Sequence, residues 1–345
     1  MSRQATCGLI DVGGAKLYHE VRGRGPAVLF ITGGTGDAGE WAHIAPRLAD
    51  ELTVVTYDRR GFSRSPRPDG WTSTSMVEQA GDAARLLRAL GLAPAVVVGH
   101  SSGGSIACRL VIDHPEIVRH AVIYEAPLFA VVPGGEEIAT GLRALAGGGP
   151  RTGMERFMRR NAGDEVADMF AALFDIELPA LTSFVPDRKR MRTGGVPLTV
   201  VVGEQDRDTW FGAASRWLTE GTEADLVELP GGHAGFVTHP KEFAELVRRI
   251  ARKATRTPAG RVDTQAVETF RQRLRGPLLT PGDPGFRDAT LLWNGLISKT
   301  PALAVQPTGT ADVVAVVDFA RDHGLALSVR GGGHNVAGTA VADGG

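Results

Sequence analysis

The chain has 345 residues, 43% hydrophobic and 22% charged, with a formal net charge of -1. That length exceeds one ordinary domain and can bury a full core, and near-neutral charge excludes the electrostatic footprint of a nucleic-acid or anionic-membrane binder. Its two cysteines, Cys7 and Cys108, lack metal-ligand spacing, which excludes a disulfide framework and fits a reducing compartment.

The N-terminal stretch has no apolar signal core, and no run approaches the roughly 18 apolar residues of a bilayer span. A cytoplasmic chain with no membrane partner is expected. In chain order, short segments at 9–12 and 16–21 flank "GG" and predict a β-hairpin. The unbroken apolar run 27–31 predicts a strand buried on both faces, followed by the Gly-rich loop "TGGTG". A helix at 41–48, a strand at 52–57, the polar loop "DRRGFSRSPRPDG", a helix at 75–90 and a strand at 95–98 continue a β/α alternation. Beyond it come a helix that stops at Pro115, strands in "VRHAVIYEAP", "PLTVVVGE" and "ADLVELP", and the amphipathic helix "HPKEFAELVRRIARK". This order predicts an α/β fold: a doubly wound, mostly parallel sheet with helices on both faces. The alternation breaks at about 127–196, where helical pieces such as "MERFMRRNAGDEVADMFAALF" predict an inserted cap over the carboxyl ends of the strands. The domain reading is therefore 1–253, a linker at 254–262, and a second segment at 263–345.

Within "AVVVGHSSGGSIA", Gly99 and Gly103 bracket Ser101 where a strand must turn at once into a helix. That is the pattern of a G-x-S-x-G nucleophile elbow. A serine hydroxyl needs a base, and the base needs a group to fix its tautomer. Asp206 in "GEQDRD" and His233 in "PGGHAGF" each fall in a loop after a predicted strand, in the order Ser101, Asp206, His233. The backbone N–H groups of Ser102 and Gly34 are the expected oxyanion donors; unlike a P-loop, "TGGTG" is not followed by a Lys-Ser/Thr pair.

These motifs, with "YDRRGFSRS", resemble the α/β-hydrolase family over about residues 8–253. The resemblance implies a serine hydrolase acting on a small ester, lactone or related acyl bond through an acyl-enzyme, with no cofactor and no metal. Thr32 stands where the family usually has histidine, which removes a ring that often buttresses the loop. Asp206 matches the family's Gly-x-x-Asp counted from Gly203 and is preferred as the acid; Asp208, Glu204 and Glu125 are the competitors, the last at a place some relatives use. His100, His239 and the "DRRGFSRS" loop are expected to be structural, and Arg159, Arg160 and Arg188 to be a solvated helix face or a greeting for an acidic substrate. A serine nucleophile argues against dehalogenase or epoxide-hydrolase chemistry, whose enzymes place aspartate there; perhydrolysis and cofactor-free oxygen chemistry stay open on this scaffold.

From about Asp263 the chain resembles the start of a berberine-bridge-type FAD-linked oxidase, a partial α+β FAD-binding segment of the PCMH type. The motif is "RGGGHN" after a predicted strand at 326–329. The resemblance implies Gly331, Gly332 and Gly333 against a pyrophosphate and His334 as the flavin attachment point. A flavin oxidoreductase fused to a hydrolase is the alternative reading. Because residues 263–345 supply only part of such a cleft, they are expected not to hold FAD by themselves.

Overall fold

A computed structural model describes residues 5–146, 172–255, 264–294, 299–334, 338–342 and 344–345. The chain divides into two compact units, Met1–Ala251 and Arg252–Gly345.

The first unit is built on an eight-stranded sheet of order β1-β2-β4-β3-β5-β6-β7-β8. Strands β1 (Thr6–Asp11) and β2 (Lys16–Arg22) form an antiparallel hairpin, and β2 joins β4 (Thr53–Tyr57) antiparallel. The hairpin turn uses Gly13 and Gly14 at φ of 75° and 87°, a conformation costly for any side chain. From there β4, β3 (Ala27–Ile31), β5 (Ala95–His100), β6 (Val118–Tyr124), β7 (Leu198–Gly203) and β8 (Asp225–Leu229) run parallel. The central strands are almost wholly buried, which explains their largely apolar sequences: helices cover both faces, so few positions take a polar residue, as Arg119, His120 and Thr199 do. The parallel strands β3 to β8 therefore deliver their carboxyl ends to one edge, and β2 runs against them.

Helix α1 (Ala45–Leu48) is shorter than expected because a 3₁₀ turn at Ala38–Trp41 precedes it. Helix α2 (Met76–Ala89) starts at Ser75, whose side chain accepts from the Glu78 N–H, the S-x-x-E capping arrangement. It buries Ala80, Ala83, Ala84, Leu86 and Leu87, and its Asp82 takes a bidentate ion pair from Arg60. That pair fixes the "DRRG" loop to the helix. Helix α3 (Ser102–Asp113) follows β5 directly.

Between β6 and β7 the described residues contain helices and no strand: α4 (Gly135–Ala146), a π-helical stretch Ala172–Glu177, α5 (Leu178–Ser183) and α6 (Arg188–Thr193). Most of "MERFMRRNAGDEVADMFAALF", with Arg159 and Arg160, lies outside the described residues. Helices α7 (Trp210–Thr222), α8 (Gly235–Thr238) and α9 (Pro240–Thr255) complete the unit.

The second unit has helices α10 (Thr264–Arg271), α11 (Phe286–Thr290) and α12 (Thr310–Asp322) and a two-residue ladder of β9 (Leu278–Leu279) with β10 (Ala304–Val305). Phe270 and Phe319 stack at 3.9 Å in its core. The Asp312 carboxylate accepts from the backbone N–H groups of Arg275, Gly276 and Thr308, which hold its pKa down to about 2. The predicted strand at 326–329 is not formed. A short apolar run supplies side chains for a strand but not the neighbouring backbone it must pair with, and these residues have no ladder partner among the described residues.

Candidate active site

Strand β5 ends at His100, and Ser101 then takes φ 52° and ψ -126° before α3 begins. A non-glycine residue there is strained, and the surroundings enforce it: Ser101 N–H donates to Tyr124 O at 2.9 Å and Ser101 O accepts from Gly104 N at 2.7 Å. The flanking glycines are required by contact. A Cβ on Gly99 would meet Gly103 O at 2.2 Å, and one on Gly103 would meet Ile31 O at 2.3 Å. The serine therefore stands at the tip of a bend that admits no bulk on either side.

Beside it runs the loop after β3. Gly33 N–H donates to both oxygens of Glu40 at 3.0 Å, and the Thr35 hydroxyl donates to Glu40 Oε2 at 2.8 Å. The other oxygen of Glu40 lies 2.9 Å from His100 Nδ1, while His100 Nε2 donates to the His233 carbonyl at 2.8 Å. Burial alone would raise the Glu40 pKa, yet the His100 ring and these donors hold the carboxyl below its ordinary value. Here Glu40 and His100 supply the buttress that Thr32 lacks. Among the described residues no hydrogen bond engages the N–H of Gly34 or of Ser102, the first residue of α3.

His233 sits in the "PGGHA" loop after β8, which Tyr124 steadies by donating its hydroxyl to Gly232 O at 2.7 Å. Its Nδ1 lies 2.6 Å from Glu125 Oε2. Glu125 follows β6 at φ 46°, is fully buried, and accepts from Gly203 N–H at 2.7 Å through Oε1. Both carboxylate oxygens are thus committed, one to a backbone amide and one to the ring. With Nδ1 donating, the His233 lone pair lies on Nε2. Phe211, in the first turn of α7, stacks on the ring at 4.2 Å and 19°.

The preference for Asp206 as the partner of His233 is corrected by this geometry. Asp206 does follow β7, but its carboxylate packs against Gly232, where an added Cβ would meet Oδ2 at 2.7 Å. No hydrogen bond or ion pair engages that carboxylate among the described residues. The residue after the neighbouring strand, Glu125, meets the imidazole instead, from a left-handed backbone conformation. Glu204 and Asp208 are exposed. His239 bonds the Thr238 hydroxyl at 2.9 Å, and Arg188 stacks on Trp217 at 3.7 Å while donating to its carbonyl, so both serve packing.

Two groups escaped sequence reasoning. Glu40 carries no motif. The sequence places Arg59 with its loop at a structural corner, yet its fully buried side chain donates to Gly33 O at 2.6 Å and pairs with Glu177 at the end of the π-helical stretch. Only Arg60 and Arg64 behave as corner residues, holding Asp82 and Asp58.

In the second unit Gly331 and Gly332 are exposed, and a Cβ on Gly331 would meet nothing. Gly333, at φ 77°, gives its carbonyl to Trp293 N–H at 2.9 Å, and Arg330 donates to Leu291 O. A backbone cradle for a pyrophosphate needs converging N–H groups where a side chain could not fit. The described residues at 331–334 do not make one. Among the described residues no cluster of His, Cys, Asp and Glu could hold a metal, and no helix is long and apolar enough to cross a membrane.

Comparison with known proteins agrees with this architecture. The alpha/beta hydrolase family model matches residues 28–246, and an FAD binding domain model matches residues 301–345. An uncharacterized hydrolase of Bacillus subtilis, YraK, is 31% identical over 261 residues, spanning 71% of this chain and 96% of its own length. The N-acyl homoserine lactone degrading enzyme Est816 is 26% identical, with a TM-score of 0.53 over 70% of this chain and 99% of its own. The enol-lactonase of Burkholderia xenovorans is 19% identical, with a TM-score of 0.57 over 70% and 98%.

Proposed function

The chain belongs to the α/β-hydrolase family, and from that membership we propose that it is a serine hydrolase of esters or lactones in which Ser101, His233 and Glu125 form the catalytic triad. The observation that carries the reading is the 2.6 Å contact of His233 Nδ1 with the buried carboxylate of Glu125, beside a serine in the strained conformation of a nucleophile elbow. The lactone class is supported by the likeness to Est816.

The chemistry follows from these groups. Ser101 Oγ attacks the acyl carbon as His233 Nε2 takes its proton, and Glu125 keeps Nδ1 protonated and stabilises the imidazolium. The oxyanion is received by the N–H groups of Gly34 and Ser102, which have no competing partner among the described residues. Collapse breaks the bond to the alcohol oxygen, which takes the proton from His233. An acyl-Ser101 ester remains. Water, deprotonated by His233, attacks it, and the carboxylic acid leaves with Ser101 restored. Phe211 stacked on the ring limits its rotation between these proton transfers and offers a π face to the imidazolium.

Turnover of p-nitrophenyl acetate and of a short acyl lactone tests the reading. Ser101→Ala is expected to lower kcat by several orders of magnitude, leaving the residual catalysis of the oxyanion site alone. Undiminished turnover by that variant would refute the assignment.

A further inference from the structure

The peptide joining Gly33 to Gly34 is trans, so its carbonyl and its N–H point in opposite directions. What holds the carbonyl therefore aims the N–H. Gly33 O accepts from Gly36 N–H at 3.0 Å, closing a turn, and from Arg59 Nη2 at 2.6 Å. The same nitrogen stands 3.4 Å from the hydroxyl of Ser102. One guanidinium thus touches Ser102 and the carbonyl of the peptide whose N–H belongs to Gly34, the two N–H groups of the oxyanion site. It is buried with no exposure, and its charge is met by the equally buried Glu177, through an Nη1 to Oε2 bond and a second contact from Nη2 to Oε1 at 3.2 Å.

We propose that Arg59 is a positioning residue for the oxyanion site, set in place by Glu177 from the helical insertion; the inference rests on the Ser101 hydrolase reading. Two physical effects support it. A charged donor on Gly33 O polarises the peptide through its resonance and strengthens its N–H as a donor. The bidentate pair also fixes the guanidinium plane, which a single ammonium could not do while reaching Gly33 as well. Glu177 lies where a π-helical stretch passes into α5, and the neighbouring Leu173 is what a Cβ on Gly34 would meet at 3.0 Å. The insertion that covers the site is thereby tied to the dipole that stabilises its transition state. π-Helical turns recur where a side chain must be re-aimed.

Removing Arg59 alone would strand a buried carboxylate, so the test uses three variants of the full chain: Arg59→Lys, Glu177→Gln, and Arg59→Met with Glu177→Met, which replaces the buried pair by apolar groups of similar volume. Each is measured for kcat and KM on p-nitrophenyl acetate and for inhibition by a trifluoromethyl ketone, whose hemiketal adduct places an oxyanion in the site. Arg59→Lys and the double variant should lose roughly 10- to 100-fold in kcat, with KM within about 3-fold. Ketone affinity should fall by the same factor as kcat. Glu177→Gln should show a smaller loss of the same kind. A folded double variant and Arg59→Lys with unchanged kcat and ketone affinity, while Ser101→Ala is inactive, would overturn this inference and leave the hydrolase reading standing. So would a rise in KM with kcat unchanged. Absence of turnover and of ketone inhibition in the unaltered chain would overturn both.

Discussion

Glu125 Oε2 accepts from His233 Nδ1 at 2.6 Å, so the imidazole is held from the end of β6 rather than from the end of β7, where Asp206 stands. The separation between the two carboxylates is chemical as well as geometric. Glu125 is fully buried with both oxygens engaged, whereas Asp206 is half-buried beside Gly232.

This relationship predicts a wide gap between two conservative substitutions. Glu125→Gln keeps the shape but presents an amide that cannot enforce the Nδ1–H tautomer, and should lower kcat roughly 10³- to 10⁴-fold. Asp206→Asn should cost less than about 10-fold, since no bond to His233 is lost. Steady-state ester kinetics on the two variants check this, and a larger loss from Asp206→Asn would return the acid role to β7.

The elbow makes a prediction about folding. Gly99→Ala and Gly103→Ala place a methyl group within 2.3 Å of backbone carbonyls, so the strand, the helix or the loop after β3 must shift. A loss of about 3 kcal/mol or more is expected. Gly141→Ala, at an exposed position in α4 where a Cβ meets nothing, should stabilise by about 0.5–1 kcal/mol. Urea unfolding midpoints distinguish the cases; similar midpoints for all three variants would contradict the packing account.

Most of the sheet was legible because its strands are buried on both faces: "AVLFI" is β3 to the residue, and "AVVVGH" is β5. The elbow was legible for a related reason, since glycines spaced around a serine are demanded by contacts that any such bend makes. The acid was not. Carboxylates follow both β6 and β7, and neither motif says which reaches His233; in the fold it is Glu125. Arg59 was hidden by its neighbour Arg60, because the two read alike in "DRRG" while one turns to the site and the other to α2. The run 326–329 misled because its residues describe side chains only, whereas a strand exists only with a partner backbone.

The Glu40 carboxylate sets a pH dependence. Its folded pKa is depressed below the ordinary 4.5 although burial opposes this, because the His100 ring, Gly33 N–H and the Thr35 hydroxyl favour the charged form. A depressed carboxylate stabilises the fold fully above its unfolded value, and that contribution is lost as pH falls through the folded value. Glu40→Gln should therefore be less stable than the unaltered chain by about 1–3 kcal/mol at neutral pH. The difference should close progressively below pH of about 4.5. Paired urea titrations across acid pH check this; a difference that stays constant into strong acid would show that Glu40 does not act as a carboxylate.

The most direct measurement is the mass of the full chain after exposure to a fluorophosphonate, followed by peptide mapping. Attack by the activated serine expels fluoride and leaves a phosphonyl group on its oxygen. One adduct is expected, mapped to Ser101, formed rapidly by the unaltered chain, slowly by Glu125→Gln and not at all by Ser101→Ala. An unlabelled chain, or an adduct mapped to another residue and retained in Ser101→Ala, would contradict it.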